Sequence, residues 1–212
     1  MPDVRISELT IADEPANWAA VGFAVEGEVC RVGSVPIRLA GRDAGRGLVG
    51  WTLAGIATDA LDGLPTRRAA APTPTGAGSP HANGVTALDH VVAITPALDC
   101  TVAALEAAGL DLRRVREEPT PAGAPRQAFF RLGEAILEVV QAPDDALSRS
   151  GGPDGPAFFW GLAFKVADLD ATVAAIGAER CSGPRPAVQP GRRIATLRRS
   201  AGLAVPVALM TD

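Results

Sequence analysis

A chain of 212 residues with 47% apolar and 21% charged side chains is long enough to bury one or two cores. Its net charge of −4 gives no general attraction to nucleic acid or to an anionic membrane surface. No run approaches the ~18 consecutive apolar residues of a membrane span, and the acidic start, Met1 to Pro15, lacks the basic end and apolar core of a signal peptide, so the expected location is cytoplasmic.

Taken in chain order, Ile6–Ala12 has strand character and Pro15–Val21 reads as a short helix. Arg31-Val32-Gly33-Ser34-Val35-Pro36-Ile37-Arg38 then reads as a hairpin, in which Pro36 calls for an edge strand or a bulge. Trp51 to Asp59 opens another unit that breaks off into residues 65–84, a Pro-, Ala-, Gly- and Thr-rich stretch expected to be a linker or long exposed loop. His81 lies there, and the expectation for it is a mobile loop residue. Cys30, Cys100 and Cys181 are scattered, with no CxxC or Cys/His spacing, and read as buried or half-buried thiols rather than a disulfide or zinc framework.

The remainder is more regular. Leu88–Thr95 predicts a strand ending at Pro96. In 97–109, Leu98, Val102 and Leu105 recur at helical spacing, with Gly109 as the cap. Leu112–Glu117, Gln127–Leu132 and Ala135–Gln141 follow as strands, the last two joined by the tight turn Gly133-Glu134. Asp144-Asp145 reads as a helix-start signal for Ala146–Ser150. A second copy gives a strand at 160–167, a helix at 169–178, a Pro/Gly/Arg-rich segment, and strands near 193–199 and 203–211. The copies are tied by sequence: Leu98-Asp99-Cys100-Thr101-Val102-Ala103-Ala104 returns 71 residues later as Leu169-Asp170-Ala171-Thr172-Val173-Ala174-Ala175. Each copy has the order β-α-β-β-β. The domain reading is therefore a divergent N-terminal module at 1–64, a linker at 65–85 and a two-module domain at 86–212, divided into 86–145 and 157–212.

A doubled βαβββ unit with His90 on its first strand and Glu138 on its last resembles the vicinal oxygen chelate superfamily, which includes glyoxalases, extradiol dioxygenases, epimerases and the bleomycin and fosfomycin resistance proteins. The residues that carry the resemblance are Leu88-Asp89-His90-Val91-Val92, Leu98-Asp99, Gly133 to Val140, and Gly161 to Asp170. It implies an α+β fold of repeated modules forming a curved mixed-sheet cup. It also implies a divalent metal held by three or four His/Glu side chains, with positions left open to two adjacent substrate oxygens. Carried over, His90 and Glu138 match the ligands of one module, while Gly161 stands where the other would supply His, and Ala208 or a neighbour where it would supply Glu. A third ligand would have to come from Glu8, from Asp212 or from another chain, and Arg38 at the N-terminal counterpart of Glu138 would repel a cation.

Gln127, Phe129 and Arg131 share one face of their strand, so Gln127 and Arg131 are candidates to orient a carboxylate or phosphate, with Phe129 beside them. Arg126, on the opposite face, and Arg192, Arg193, Arg198 and Arg199 read as solvated surface. The expected function is a glyoxalase-like protein acting on or binding a small oxygenated, possibly anionic organic molecule, with His90 and Glu138 as catalytic or metal-ligating residues and an incomplete metal site. The alternative is a metal-free binding or sequestering protein of the bleomycin-resistance type. A degenerate module serving oligomerisation is a third reading, and exchange of modules between subunits suggests a homodimer.

Overall fold

In a computed structural model the described residues are 3–70, 76, 78–120, 123–143, 152 and 155–212. The expected helix at Ala146–Ser150 lies outside them. The N-terminal elements are β1 (Arg5–Ala12), α1 (Pro15–Ala19), β2 (Val25–Glu26), β3 (Val29–Val32) and β4 (Val35–Leu39), followed by β5 (Gly47–Ala54) and β6 (Thr66–Arg68). Next come β7 (Val85–Thr95), α2 (Leu98–Ala107), β8 (Asp111–Arg116), β9 (Gln127–Leu132) and β10 (Ala135–Gln141). The last set is β11 (Phe158–Val166), α3 (Leu169–Ile176), β12 (Arg185–Pro186), β13 (Arg193–Thr196) and β14 (Val207–Met210).

The protein is α+β with two mixed sheets, ordered β2-β3-β4-β1-β5-β6 and β12-β13-β14-β11-β7-β10-β9-β8. Three times the chain runs β-α-β-β-β, and each time the first strand pairs in parallel with the last. The registers are Leu9↔Ile37, His90↔Ile136 and Leu162↔Val207. A parallel neighbour requires a long crossover, and the helix provides it. The antiparallel hairpins between need only short turns. At Gly133, φ is +65°, a backbone that glycine adopts without steric cost.

Pro36 is not at an edge: β4 lies between β3 and β1. Odd-numbered β4 residues turn their N–H groups to β3, as Leu39 does in donating to the Glu28 carbonyl at 2.8 Å. Pro36 therefore lacks its N–H on the β1 side, one residue before the first paired residues there, Leu9 and Ile37. The loss falls where that ladder begins, so an interior strand tolerates it.

The chain forms two compact units. The first comprises 1–7, 50–73 and 90–160; the second comprises 8–49, 74–89 and 161–212. In the first, one face of β7, β10 and β9 presents Val91, Ala93, Leu137, Val139, Ala128 and Phe130, all fully buried. Helix α2 contributes buried Leu98, Thr101 and Leu105, and the Thr101 hydroxyl bonds Thr95 Oγ1 at 2.7 Å and the Asp62 carboxylate.

The second unit is built on aromatics. Trp18 of α1 lies 4.8 Å from the Phe23 ring and 6.2 Å from Phe164 of β11. His81 packs edge-on against Phe23 at 5.4 Å. The residue expected in a mobile loop is thus a buried one, 9% exposed. Its Nδ1 accepts from the Ala24 N–H at 2.9 Å, and Asn83 nearby donates to the Val21 carbonyl at 2.9 Å. A Pro/Gly-rich composition marks where regular structure stops, and it carries no signal of such isolated polar anchors.

Asp13 is fully buried at the end of β1 and accepts from four donors: the N–H of Glu14 (2.9 Å), the Asn17 amide (2.8 Å), the Trp18 indole (3.2 Å) and the N–H of Ala204 (2.8 Å). Arg42 adds a charge partner at 3.5 Å. Removing this acceptor strands four donors, among them the buried Trp18 indole, which then bears its full desolvation cost. Asp13→Ala should lower stability by about 3 kcal/mol or more, with Asp13→Asn milder, measured by urea unfolding.

Burial holds the His81 imidazole below its ordinary 6.5, and only a neutral Nδ1 can accept from Ala24. The folded chain therefore binds this proton less readily than the unfolded one. Its stability contribution is complete above 6.5 and is lost as pH falls below it. The wild-type denaturation midpoint should drop between pH 7.5 and 5.5 by more than that of His81→Phe; parallel curves would refute the assignment.

Candidate functional site

The second face of β7, β10, β9 and β8 in the first unit is only half-buried. Period-two alternation places His90, Val92 and Ile94 on it from β7 and Ile136, Glu138 and Val140 from β10. The pairing orders these side chains into rows. One row is His90, Ile136, Arg131 and Asp111; the next is Val92, Glu138, Phe129 and Arg114; the third is Ile94, Val140, Gln127 and Arg116.

Because His90 is registered with Ile136, Glu138 sits one strand across and two residues along, a diagonal that long side chains span. The His90 Nε2 and Glu138 Oε2 atoms are 3.4 Å apart, and the side chains are 16% and 17% exposed. The other carboxylate oxygen, Oε1, accepts a hydrogen bond from the amide nitrogen of Gln127. That bond fixes the amide's orientation. The Gln127 carbonyl oxygen is then left buried without a hydrogen-bond partner among the described residues, on a side chain whose residue is 7% exposed.

Phe129 is half-buried with the Arg114 guanidinium 5.1 Å from its ring centroid. Arg131 is exposed, and its Nε donates to the Gly133 carbonyl at 3.2 Å. Together with Asp3, Glu106 and Asp111 it also borders a cavity of about 680 Å³ that neither His90 nor Glu138 lines. Arg126, on the other side of β9, is held by Glu117 (2.7 and 3.0 Å) and by Asp99 in the first turn of α2 (3.0 Å). These bonds raise its pKa and hold both carboxyls below their usual range, so Arg126 fastens the helix start to the end of β8.

The residues that sequence offered as further metal ligands are otherwise engaged. Glu8 and Arg38 occupy in β1 and β4 the same diagonal as His90 and Glu138. They form a two-bond ion pair, Nε to Oε1 at 3.2 Å and Nη2 to Oε2 at 3.1 Å. The Asp212 carboxylate lies 2.6 Å from the Lys165 ammonium. In β11 and β14 the diagonal holds Gly161 and Ala208, as register requires. A Cβ on Gly161 would stand 2.9 Å from the Pro206 carbonyl oxygen, so this position is closed to any larger side chain.

No group of three His, Cys, Asp or Glu side chains that could hold a metal occurs among the described residues. Catalytic centres generally use three protein ligands, and His90 with Glu138 supplies two. The donor set does not fit a resident catalytic metal. Burial pushes the Cys30 thiol up to about 12, consistent with an inert core cysteine. Cys100, expected to be at least half-buried, is exposed on α2.

Arg114 is the site residue that pattern alone missed. A register shift between Leu112 and Arg114 makes Arg113 an extra residue in β8. The shift puts Arg114 opposite Phe129, while Arg113 turns to Asp111 at 3.1 Å. Strict alternation from Asp111 would have placed Arg113 there.

No family profile matches the chain, and no curated protein does. Among solved structures, methylmalonyl-CoA epimerase of Mycobacterium tuberculosis is 23% identical, with TM-score 0.49, covering 61% of this chain and 89% of that one. A Streptomyces coelicolor methylmalonyl-CoA epimerase in complex with 2-nitronate-propionyl-CoA is 26% identical, with TM-score 0.49 and coverage of 60% and 98%. A xylose isomerase-like TIM barrel/4-hydroxyphenylpyruvate dioxygenase fusion protein matches 98% of this chain and 48% of its own at TM-score 0.62 and 14% identity. That last likeness is one of fold, and with the repeated βαβββ modules it gives a glyoxalase-like α+β fold.

No helix among the described residues is long and apolar enough to cross a membrane. Gly161→Ala should cost about 1–3 kcal/mol, because the clash is with backbone rather than with a flexible side chain. Gly161→His should likewise destabilise the protein, without creating zinc uptake. Calorimetric titration of zinc together with thermal melts of both variants checks this.

Proposed function

We propose that this chain is a glyoxalase-like protein that binds a small oxygenated organic molecule on the His90–Glu138–Gln127 face without a resident metal. The observation that supports this most directly is the engagement of Glu138: one oxygen faces His90 and the other accepts from Gln127. A carboxylate so committed acts as an orienting group, and a two-donor set falls short of a catalytic centre.

On this reading the apolar part of the ligand rests on Val92, Ile94, Val140 and Phe129, and its oxygen atoms meet the polar trio. His90 is the group placed to exchange a proton with a bound oxygen, with Glu138 3.4 Å from its ring. A buried polar atom is expensive unless satisfied, and a hydroxylated ligand supplies the donor that the Gln127 carbonyl oxygen lacks among the described residues. The competing reading, a metal-dependent enzyme, draws on the residue types of the same pair.

The test is elemental analysis of untagged protein purified without chelators, with calorimetric titration of zinc, manganese, nickel and ferrous iron, on wild type and His90→Ala. Substoichiometric metal unaffected by the mutation is expected. One equivalent that disappears in His90→Ala overturns the metal-free reading. In ligand screening by thermal shift, His90→Ala and Glu138→Gln should each weaken binding about tenfold, the scale of one hydrogen bond to a charged group.

A further inference from the structure

We propose that Arg114 is the specificity residue of this face and that the ligand is a monocarboxylate bearing a hydrogen-bond donor beside an apolar group. The inference rests on the reading of the face as a ligand site.

Arginines around this face divide by what holds them. Arg113 is paired with Asp111 and Arg126 with Glu117 and Asp99, while Arg131 bonds a backbone carbonyl. Arg116 has Glu118 only at 3.8 Å. Arg114 is different: among the described residues its guanidinium forms neither an ion pair nor a hydrogen bond, and its contact is the Phe129 ring. Stacking on an aromatic orients a guanidinium while leaving its N–H fork available for a planar oxyanion. The shift in β8 that delivers Arg114 to this row interrupts the ladder, and the ion pair that accompanies it belongs to Arg113, not to Arg114.

The charge arrangement selects the anion. Arg114 and Glu138 lie in one row two strands apart, about 10 Å at ordinary strand spacing. With Arg131 held to a backbone carbonyl and Arg116 near Glu118, one guanidinium with its fork unengaged, in the same row as a carboxylate, suits a single negative charge better than a dianionic phosphate. A second, independent observation concerns the rest of the ligand. The Gln127 carbonyl oxygen is a buried acceptor whose amide cannot flip without losing its bond to Glu138. A ligand hydroxyl or N–H, reached by a small turn of that side chain, satisfies it. The combination is an apolar acid with a nearby donor, as in 2-hydroxy carboxylates with aromatic or branched side groups.

The experiment measures binding by calorimetry and by ligand-observed NMR, with a panel of aryl and branched-alkyl 2-hydroxy acids, the matching acids without the hydroxyl, and the methyl ester of each. The proteins are wild type, Arg114→Ala, Arg114→Lys and His90→Ala. Wild type should bind acids about tenfold or more tighter than their esters and lose affinity as salt rises. Arg114→Ala should bring acids down to the level of esters and leave esters unchanged, with Arg114→Lys intermediate. Removing the hydroxyl should weaken binding in every Arg114 variant alike.

Esters that bind wild type as well as acids, or an Arg114→Ala protein that keeps its preference for acids, would overturn the assignment. So would a panel in which no acid binds wild type at millimolar concentration. Preference for acids that persists in Arg114→Ala but vanishes in His90→Ala would leave the face as a ligand site and reject Arg114 alone. Acid binding indifferent to His90→Ala would reject the face itself.

Discussion

Everything at the site depends on the parallel pairing of a module's first and last strands. That pairing brings together residues 48 apart in sequence, His90 and Glu138, on adjacent strands, on one face, and at a diagonal two long polar side chains can bridge. It forces a helix crossover into each module and leaves the helix on the other face of the strands that carry the pair. One face is thereby packed with Val91, Ala93, Leu137 and Phe130, while the opposite face, which carries His90 and Glu138, stays half-buried. The register also recurs with different decoration. The same diagonal carries His and Glu in one module, Glu and Arg in another, Gly and Ala in the third. Geometry is repeated; chemistry is not.

Those three outcomes follow different physical logic. In the N-terminal module, Glu8 and Arg38 neutralise each other, and Glu8 raises the Arg38 pKa further; both ends are partly exposed, so the pair contributes little stability. In the third module the strands approach so closely at Gly161 and Pro206 that a Cβ is excluded, and tight packing replaces polarity. In the second module the side chains are mostly shielded, so the carboxylate needs a donor and finds one in Gln127, with the His90 ring 3.4 Å from its other oxygen. A module that keeps costly groups shielded is the one in which a ligand can repay them.

Much of this was legible in the sequence. Alternation gave β9 and β10 to the residue, and 3.6-periodicity with the repeated Leu-Asp opening gave α2 and α3 within two residues at either end. The repeat located Gly161, and the last strand offered Ala208 or a neighbour, between which the register selects Ala208. What alternation could not supply is anything that breaks it. The irregularity in β8 exchanges Arg113 for Arg114, and no propensity marks the residue at which a strand skips. Nor could composition reveal the buried anchors. Asp13 and His81 look like ordinary loop-flanking residues, and their roles arise only when donors distant in sequence, Ala204 for one and Ala24 for the other, are folded onto them. Pro36 was misjudged for a related reason: edge placement is one way to spare a missing N–H, and the start of a ladder is another.

The distribution of satisfied and unsatisfied groups also separates scaffold from site. Asp13 collects four donors, Thr172 in α3 reaches the Asn83 carbonyl at 2.7 Å, and Arg192 binds both oxygens of Asp89, the nearer at 2.7 Å. These are closed networks, and closure is what a stabilising polar group requires. The functional face is arranged the other way. Its carboxylate is fully engaged, its amide is turned by that engagement, and the leftover acceptor and the guanidinium stacked on Phe129 complete nothing within the described chain. Buried polar atoms without a partner also occur at Ser7, Arg31 and Gln141, but on this face the leftover Gln127 acceptor stands one row from the guanidinium stacked on Phe129, and a ligand of matching polarity recovers free energy from both.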